Sequence, residues 1–263
     1  MFDRVVNASA WLVVLFILSP LIIIIGGSFT ETTYVAFPPQ GFTLRWYQQL
    51  AGRQDFLESF VFSIVLGLMC TGAAMLLGSL AAIGLHRHRF FGRGFFRSFL
   101  LSPLVLPTIV TGVALLQFYY VVDLDAPLLG LLIGHVLITV PYVIRTVGAG
   151  LVGLDVAIEE AAQSLGAGTL RTMLKVTLPA IAPSMLSAAI FVFITSFDQA
   201  TVSIFLSQSV VMPLPIRIYS YIEFAIDPMI AAVSTILIII AFGVIALLQK
   251  LLGLDRAFGA EIR

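Results

Sequence analysis

The stretch that decides the fold is Glu159–Ser184, "EEAAQSLGAGTLRTMLKVTLPAIAPS". Flanking runs are apolar enough to cross a bilayer, whereas this one is not, and it is too poor in turn residues to be a plain loop. Two short amphipathic pieces, "DVAIEEAAQSL" and "TLRTMLKVTL", are separated by Gly166-Ala167-Gly168 and followed by Pro179. The pattern predicts helix, turn, helix, closed by Pro179 before the next hydrophobic segment.

Composition fixes what surrounds this stretch. Of 263 residues, 60% are hydrophobic and 11% charged, with mean hydropathy +1.08, which describes an integral membrane protein. The formal net charge of +0 gives no electrostatic reason for a nucleic-acid partner. A single cysteine, Cys70, excludes an intrachain disulfide.

Outward from the opening stretch, the apolar runs predict an all-α protein of six transmembrane helices. The first is Trp11–Gly27, read as a retained span rather than a cleaved signal, with Pro20 inside it. An irregular loop follows, in which Trp46 and Tyr47 are expected at the membrane interface. Span two runs about 59–85 and is rich in small residues that allow close helix approach. Span three runs about 99–120, span four about 127–147, span five from after Pro183 to about Phe205, and span six about 228–248. The corresponding domain division is 1–57 (first span and outer loop), 58–250 (transmembrane domain, with the cytoplasmic loop at 148–182) and a tail at 251–263.

Charge supplies the orientation. Arg4, Arg87, Arg89, Arg93, Arg97, Arg145, Arg171, Lys175, Lys250, Arg256 and Arg263 fall on one side of the six spans, and only Arg45, Arg53 and Arg217 on the other. Eleven against three puts both termini and Glu159–Ser184 in the cytoplasm. His86 and His88, among arginines, lack the further ligands a metal site needs, and no metal site is expected.

The spacing Glu160-Ala161-Ala162, three residues, Gly166, nine residues, Val176, one residue, Leu178-Pro179 resembles the "EAA" signature of membrane subunits of binding-protein-dependent ABC importers. That resemblance implies a type I importer permease in the bacterial inner membrane. It further implies that the loop, with Glu159, Glu160, Ala161, Ala162, Gly166, Ala167, Leu178 and Pro179, docks onto an ATPase. It also implies as partners two cytoplasmic ATPase subunits, a second homologous permease forming a heterodimer, and a periplasmic solute-binding protein. No glycine-rich phosphate cradle occurs in the chain, so it is expected not to be an enzyme and to hold no cofactor, with ATP and magnesium on the partner ATPase.

For the translocation path the informative residue is Asp198, roughly 13 Å inside span five at 1.5 Å per residue. Helical spacing places Thr195, Asp198 and Thr201 on one face, extended by Phe191 and Phe205. A carboxylate among hydroxyls and aromatic rings suits an organic cation, or else the carboxylate pairs with a neighbouring helix. His135 in span four either lines the path or hydrogen-bonds between helices as a neutral imidazole. "SFDQATVSIFLS", the outer-loop phrase "FPPQGFTLRWYQQL" and "GLDRAF" resemble the spermidine/putrescine branch of the family. Gln199 stands where that branch commonly has an acid. Permeases for opine-type or amino-acid derivatives, thiamine or ferric iron are the alternatives within the family, and an ion-coupled carrier or channel the alternative outside it.

Overall fold

The computed structural model describes residues 2–207 and 212–252, and among them the regular structure is entirely helical. In chain order the helices are α1 (Phe2–Gly27), α2 (Arg45–Ala51), α3 (Gln54–Arg87), α4 (Arg93–Leu101), α5 (Thr108–Val121), α6 (Pro127–Gly153) and α7 (Val156–Ser164). They continue with α8 (Thr169–Thr172), α9 (Leu178–Ala180), α10 (Ala182–Phe197), α11 (Ala200–Leu206), α12 (Leu214–Phe224) and α13 (Met229–Leu252). Of the motifs quoted above, "GLDRAF" lies outside the described residues.

Among the described residues, α1, α3 and α6 are long and apolar enough to cross a membrane by themselves, and α13 is an apolar helix of 24 residues. Span three differs from its expectation. Pro107 lacks an amide hydrogen and disfavours a helical residue before it, so α5 begins only at Thr108. The preceding helical stretch, residues 93–104, is turned by 101° from α5 instead of extending it. Span five is likewise divided: α10 ends at Phe197 and α11 begins at Ala200. Pro179 does not close the loop either. Helical backbone runs through it from Thr169 to Ala180, so the proline lies in the last turn of that stretch, just before Ile181 leaves helical geometry. The change of direction, 69°, comes between residues 169–180 and 182–197.

Two compact units are present. One comprises Met1–Phe56 with Ile218–Arg263, the other Leu57–Arg217. In the first, α1 and α2 pack against α13. Trp46 is buried within the protein: its Nε1–H donates to the Thr30 carbonyl at 2.8 Å, and Arg45 covers the ring at 4.4 Å. In the same unit Arg53 binds Asp55 through two hydrogen bonds of 2.9 and 2.8 Å and lies over the rings of Phe56 and Tyr221. Tyr221 donates to Asp227 at 2.6 Å. Burial, followed by that hydrogen bond, pushes the Tyr221 hydroxyl up to about 12.

The second unit is built on α6. Its buried face, including Val143, Val147 and Leu151, meets Ala188 and Val192 of α10 and Cys70, Ala74 and Ala82 of α3. Small residues permit the closeness: a Cβ on Gly78 would come within 2.6 Å of Val143. α11 packs against α5 and α6, and there a Cβ on Gly134 would stand 2.7 Å from Leu206.

Candidate functional site

Two groups of residues in the second unit carry the chemistry. The first is the loop hairpin. Asp155 opens α7 as its N-cap, its carboxylate accepting from the Ala157 amide at 2.9 Å. At the other end Gly166 adopts φ +89°, its amide donates to Gln163 at 2.9 Å, and the Ala167 amide donates to Ala162 at 3.1 Å. This pair of bonds is a Schellman cap, and its left-handed residue favours glycine. The spacing Ala162, three residues, Gly166 therefore has a backbone cause. A Cβ at Gly166 would meet nothing within 4 Å, so conformation alone restricts the position.

Past the turn the chain continues as α8, a π-helical turn at Met173–Thr177, and α9. Here lies a junction with no signal in the sequence. Glu159 of α7 receives Arg87 Nη2 from the end of α3 at 3.1 Å and the Thr177 hydroxyl from the π turn at 2.6 Å. The ion pair is largely shielded, with side-chain exposures of 17% and 13%. Arg87 and Thr177 stand 72 and 18 residues from Glu159 in the chain, which is why spacing could not find them. Glu160, Ala161, Pro179, Leu165, Leu170 and Leu174 are exposed, while Ala162, Ala167 and Leu178 are partly buried. The hairpin thus presents leucines outward while Glu159 ties it to two other helices.

The second group surrounds the break in span five. Asp198 caps α10 at φ −90°, ψ 4°, and Gln199 leaves helical geometry with ψ 86°. Phe191, Thr195 and Asp198 keep one face, with Phe191 and Asp198 exposed and Thr195 partly so. Thr201 and Phe205 lie beyond the break on α11, so the single continuous face expected from spacing is interrupted. The Phe191 ring meets Tyr142 of α6, with centroids 4.8 Å apart.

His135 is fully buried and does not line an open surface. Its Nδ1 lies 2.8 Å from the Ser196 hydroxyl and its Nε2 2.9 Å from the Ser203 hydroxyl. Ser203 spends its own proton on the Gln199 carbonyl, so Nε2–H donates to Ser203 and Nδ1 accepts from Ser196. A neutral imidazole satisfies all three contacts. It fastens both ends of the broken helix to α6, holding Asp198 and Gln199 in their non-helical turn.

Residues 74–253 match the family described as "Binding-protein-dependent transport system inner membrane component". The chain belongs to that family. It is 31% identical to the spermidine/putrescine transport system permease protein PotC of Haemophilus influenzae over 243 residues, covering 92% of this chain and 94% of the relative. It is 30% identical to the putrescine transport system permease protein PotI of Escherichia coli, covering 97% and 94% respectively. Among solved structures, a chain of a bacterial ABC transporter for alginate import superposes with TM-score 0.72 at 18% identity, covering 95% of both chains. A chain of the MetNI methionine ABC transporter in an inward-facing conformation gives 0.59 at 18% identity, covering 84% of this chain and all of that one. These two likenesses concern the fold.

Proposed function

We propose that this chain is one permease of an ATP-driven polyamine importer, and that Asp198 contacts the cationic solute during passage. The observation that carries this reading is the exposed carboxylate of Asp198 at a break in an apolar span. Irregular backbone inside a membrane is tolerated where it is buried in protein or lines a hydrated cavity, and an exposed carboxylate favours the cavity. An ammonium group gains there from charge-assisted hydrogen bonding, and Thr195 and the Phe191–Tyr142 pair supply hydroxyl and aromatic neighbours. The names of the relatives, each matched over more than nine-tenths of this chain, point to the same solutes.

In this reading both termini and the hairpin face the cytoplasm, where the exposed Leu165 after α7, Leu170 of α8 and Leu174 of the π turn dock onto one of two ATPase subunits. ATP and magnesium reside on those subunits, a second permease completes the path, and a periplasmic binding protein delivers the solute. Closure of the ATPase pair moves α7, and the Arg87–Glu159–Thr177 junction passes that motion to α3 and to the entry of α10. Uptake of labelled putrescine and spermidine by the reconstituted complex tests the proposal. Saturable ATP-dependent uptake is expected, and uptake of neither polyamine by an active complex contradicts it.

A further inference from the structure

The most unusual surface outside these two groups is the connection after α3. Arg89, Arg93 and Arg97 recur every fourth residue, while Phe95, Phe96 and Phe99 project from α4 with exposures of 70, 48 and 63%. On α4, Arg93 and Arg97 share one side while Phe95 and Phe99 lie opposite them, the pattern of a helix lying in a membrane interface. The 101° turn into α5 agrees: where α5 crosses a bilayer, α4 runs along its surface.

Beneath α4 are two cavities arranged in sequence along α3 and α6. One, of about 350 Å³, is bordered by His86 of α3, Arg97 of α4, and Arg145 and Gly148 of α6, and no carboxylate lines it. Gly148 makes room for the imidazole, since a Cβ there would come within 2.6 Å of the His86 ring. Arg97 and Arg145 are exposed and have no ion pair among the described residues. The other cavity, about 610 Å³, is apolar and lies two to three turns further along both helices, between Leu77 of α3, Phe99 and Leu100 of α4, and Leu137 of α6. A basic cleft followed by an apolar groove on the same pair of helices has the polarity of a phospholipid.

We infer that α3, α4 and α6 form a seat for one anionic phospholipid. Arg97 and Arg145 hold its phosphate beside His86, and an acyl chain lies along Leu77, Phe99 and Leu137. Two guanidinium groups near an anionic headgroup favour it over a zwitterionic one by on the order of tenfold or more.

Native mass spectrometry of the delipidated importer complex, given phosphatidylglycerol or phosphatidylcholine with identical acyl chains, reads this preference. Retention of phosphatidylglycerol on the order of tenfold higher is expected. It should fall to the phosphatidylcholine level in R97Q/R145Q and persist in R45Q, and soluble glycerol phosphate should not displace the lipid. Equal retention of the two lipids, a preference that survives in R97Q/R145Q, or displacement by glycerol phosphate overturns the inference. A p-benzoylphenylalanine incorporated at Leu77 supplies an arm that does not depend on the arginine variant. Photolysis is expected to yield a phospholipid adduct, and cross-linking to the second permease in its place overturns the inference.

Discussion

Asp198 sits where α10 stops, exposed and without a hydrogen-bond partner for its carboxylate among the described residues. If it meets the solute, Asp198→Asn should lower polyamine uptake on the order of tenfold or more while the complex still assembles. Normal uptake kinetics in that variant would sink the assignment. His135 predicts the opposite balance of effects. Removing it in His135→Ala strands Ser196 and frees the turn at Gln199, which costs about 1–3 kcal/mol and should appear as a lower melting temperature of the complex. Its importance was legible from the sequence as a buried ionisable residue, but Ser196 and Ser203 stand 61 and 68 residues away and no spacing rule connects them. Tyr221 offers a pH test. Its value near 12 lies above the ordinary 10, so the stability linked to its proton is complete below pH 10 and is lost as pH rises through 12. The tyrosinate absorbance missing from Tyr221→Phe should therefore titrate near 12, and a midpoint near 10 would contradict the hydrogen bond to Asp227.

At the scale of elements, the hairpin was readable because glycine and the amphipathic period are local signals. The sequence placed the turn at Gly166–Gly168, and the Schellman cap supplies its physical reason. Because the constraint is φ +89° in open space, Gly166→Asn should preserve coupling better than Gly166→Val, whose β-branched side chain is strained there by about 1–2 kcal/mol or more. Comparing ATP hydrolysed per solute imported measures this, and equal ratios for both variants would contradict it. Arg87→Ala leaves Glu159 shielded and without its counter-charge. The account expects hydrolysis to continue while uptake falls several-fold, and a proportional loss of both would point to simple misfolding. The breaks in spans three and five were less legible. Pro103 and Pro107 were visible as residues near a helix end, but a 101° turn depends on how α4 packs against α6. Nothing in "FITSFDQATV" is a strong helix breaker, and the interruption at Asp198–Gln199 is imposed by contacts to His135.

For the whole molecule, hydropathy and the spaced signature were enough to reach an all-helical importer permease, because both are properties of the chain that tertiary packing does not alter. Helix continuity was not: the apolar segments expected as spans three and five are each bent or broken among the described residues. The division into Met1–Phe56 with Ile218–Arg263 and Leu57–Arg217 joins chain ends that no local pattern relates. The central claim is that this chain, with its partners, moves polyamines at the expense of ATP through a path containing Asp198. The most direct test is uptake of labelled putrescine and spermidine into proteoliposomes holding the complete complex and its binding protein. The account predicts accumulation that requires both ATP and the binding protein and that collapses in Asp198→Asn. Accumulation that persists without ATP, or an active complex that transports another solute and neither polyamine, would contradict it.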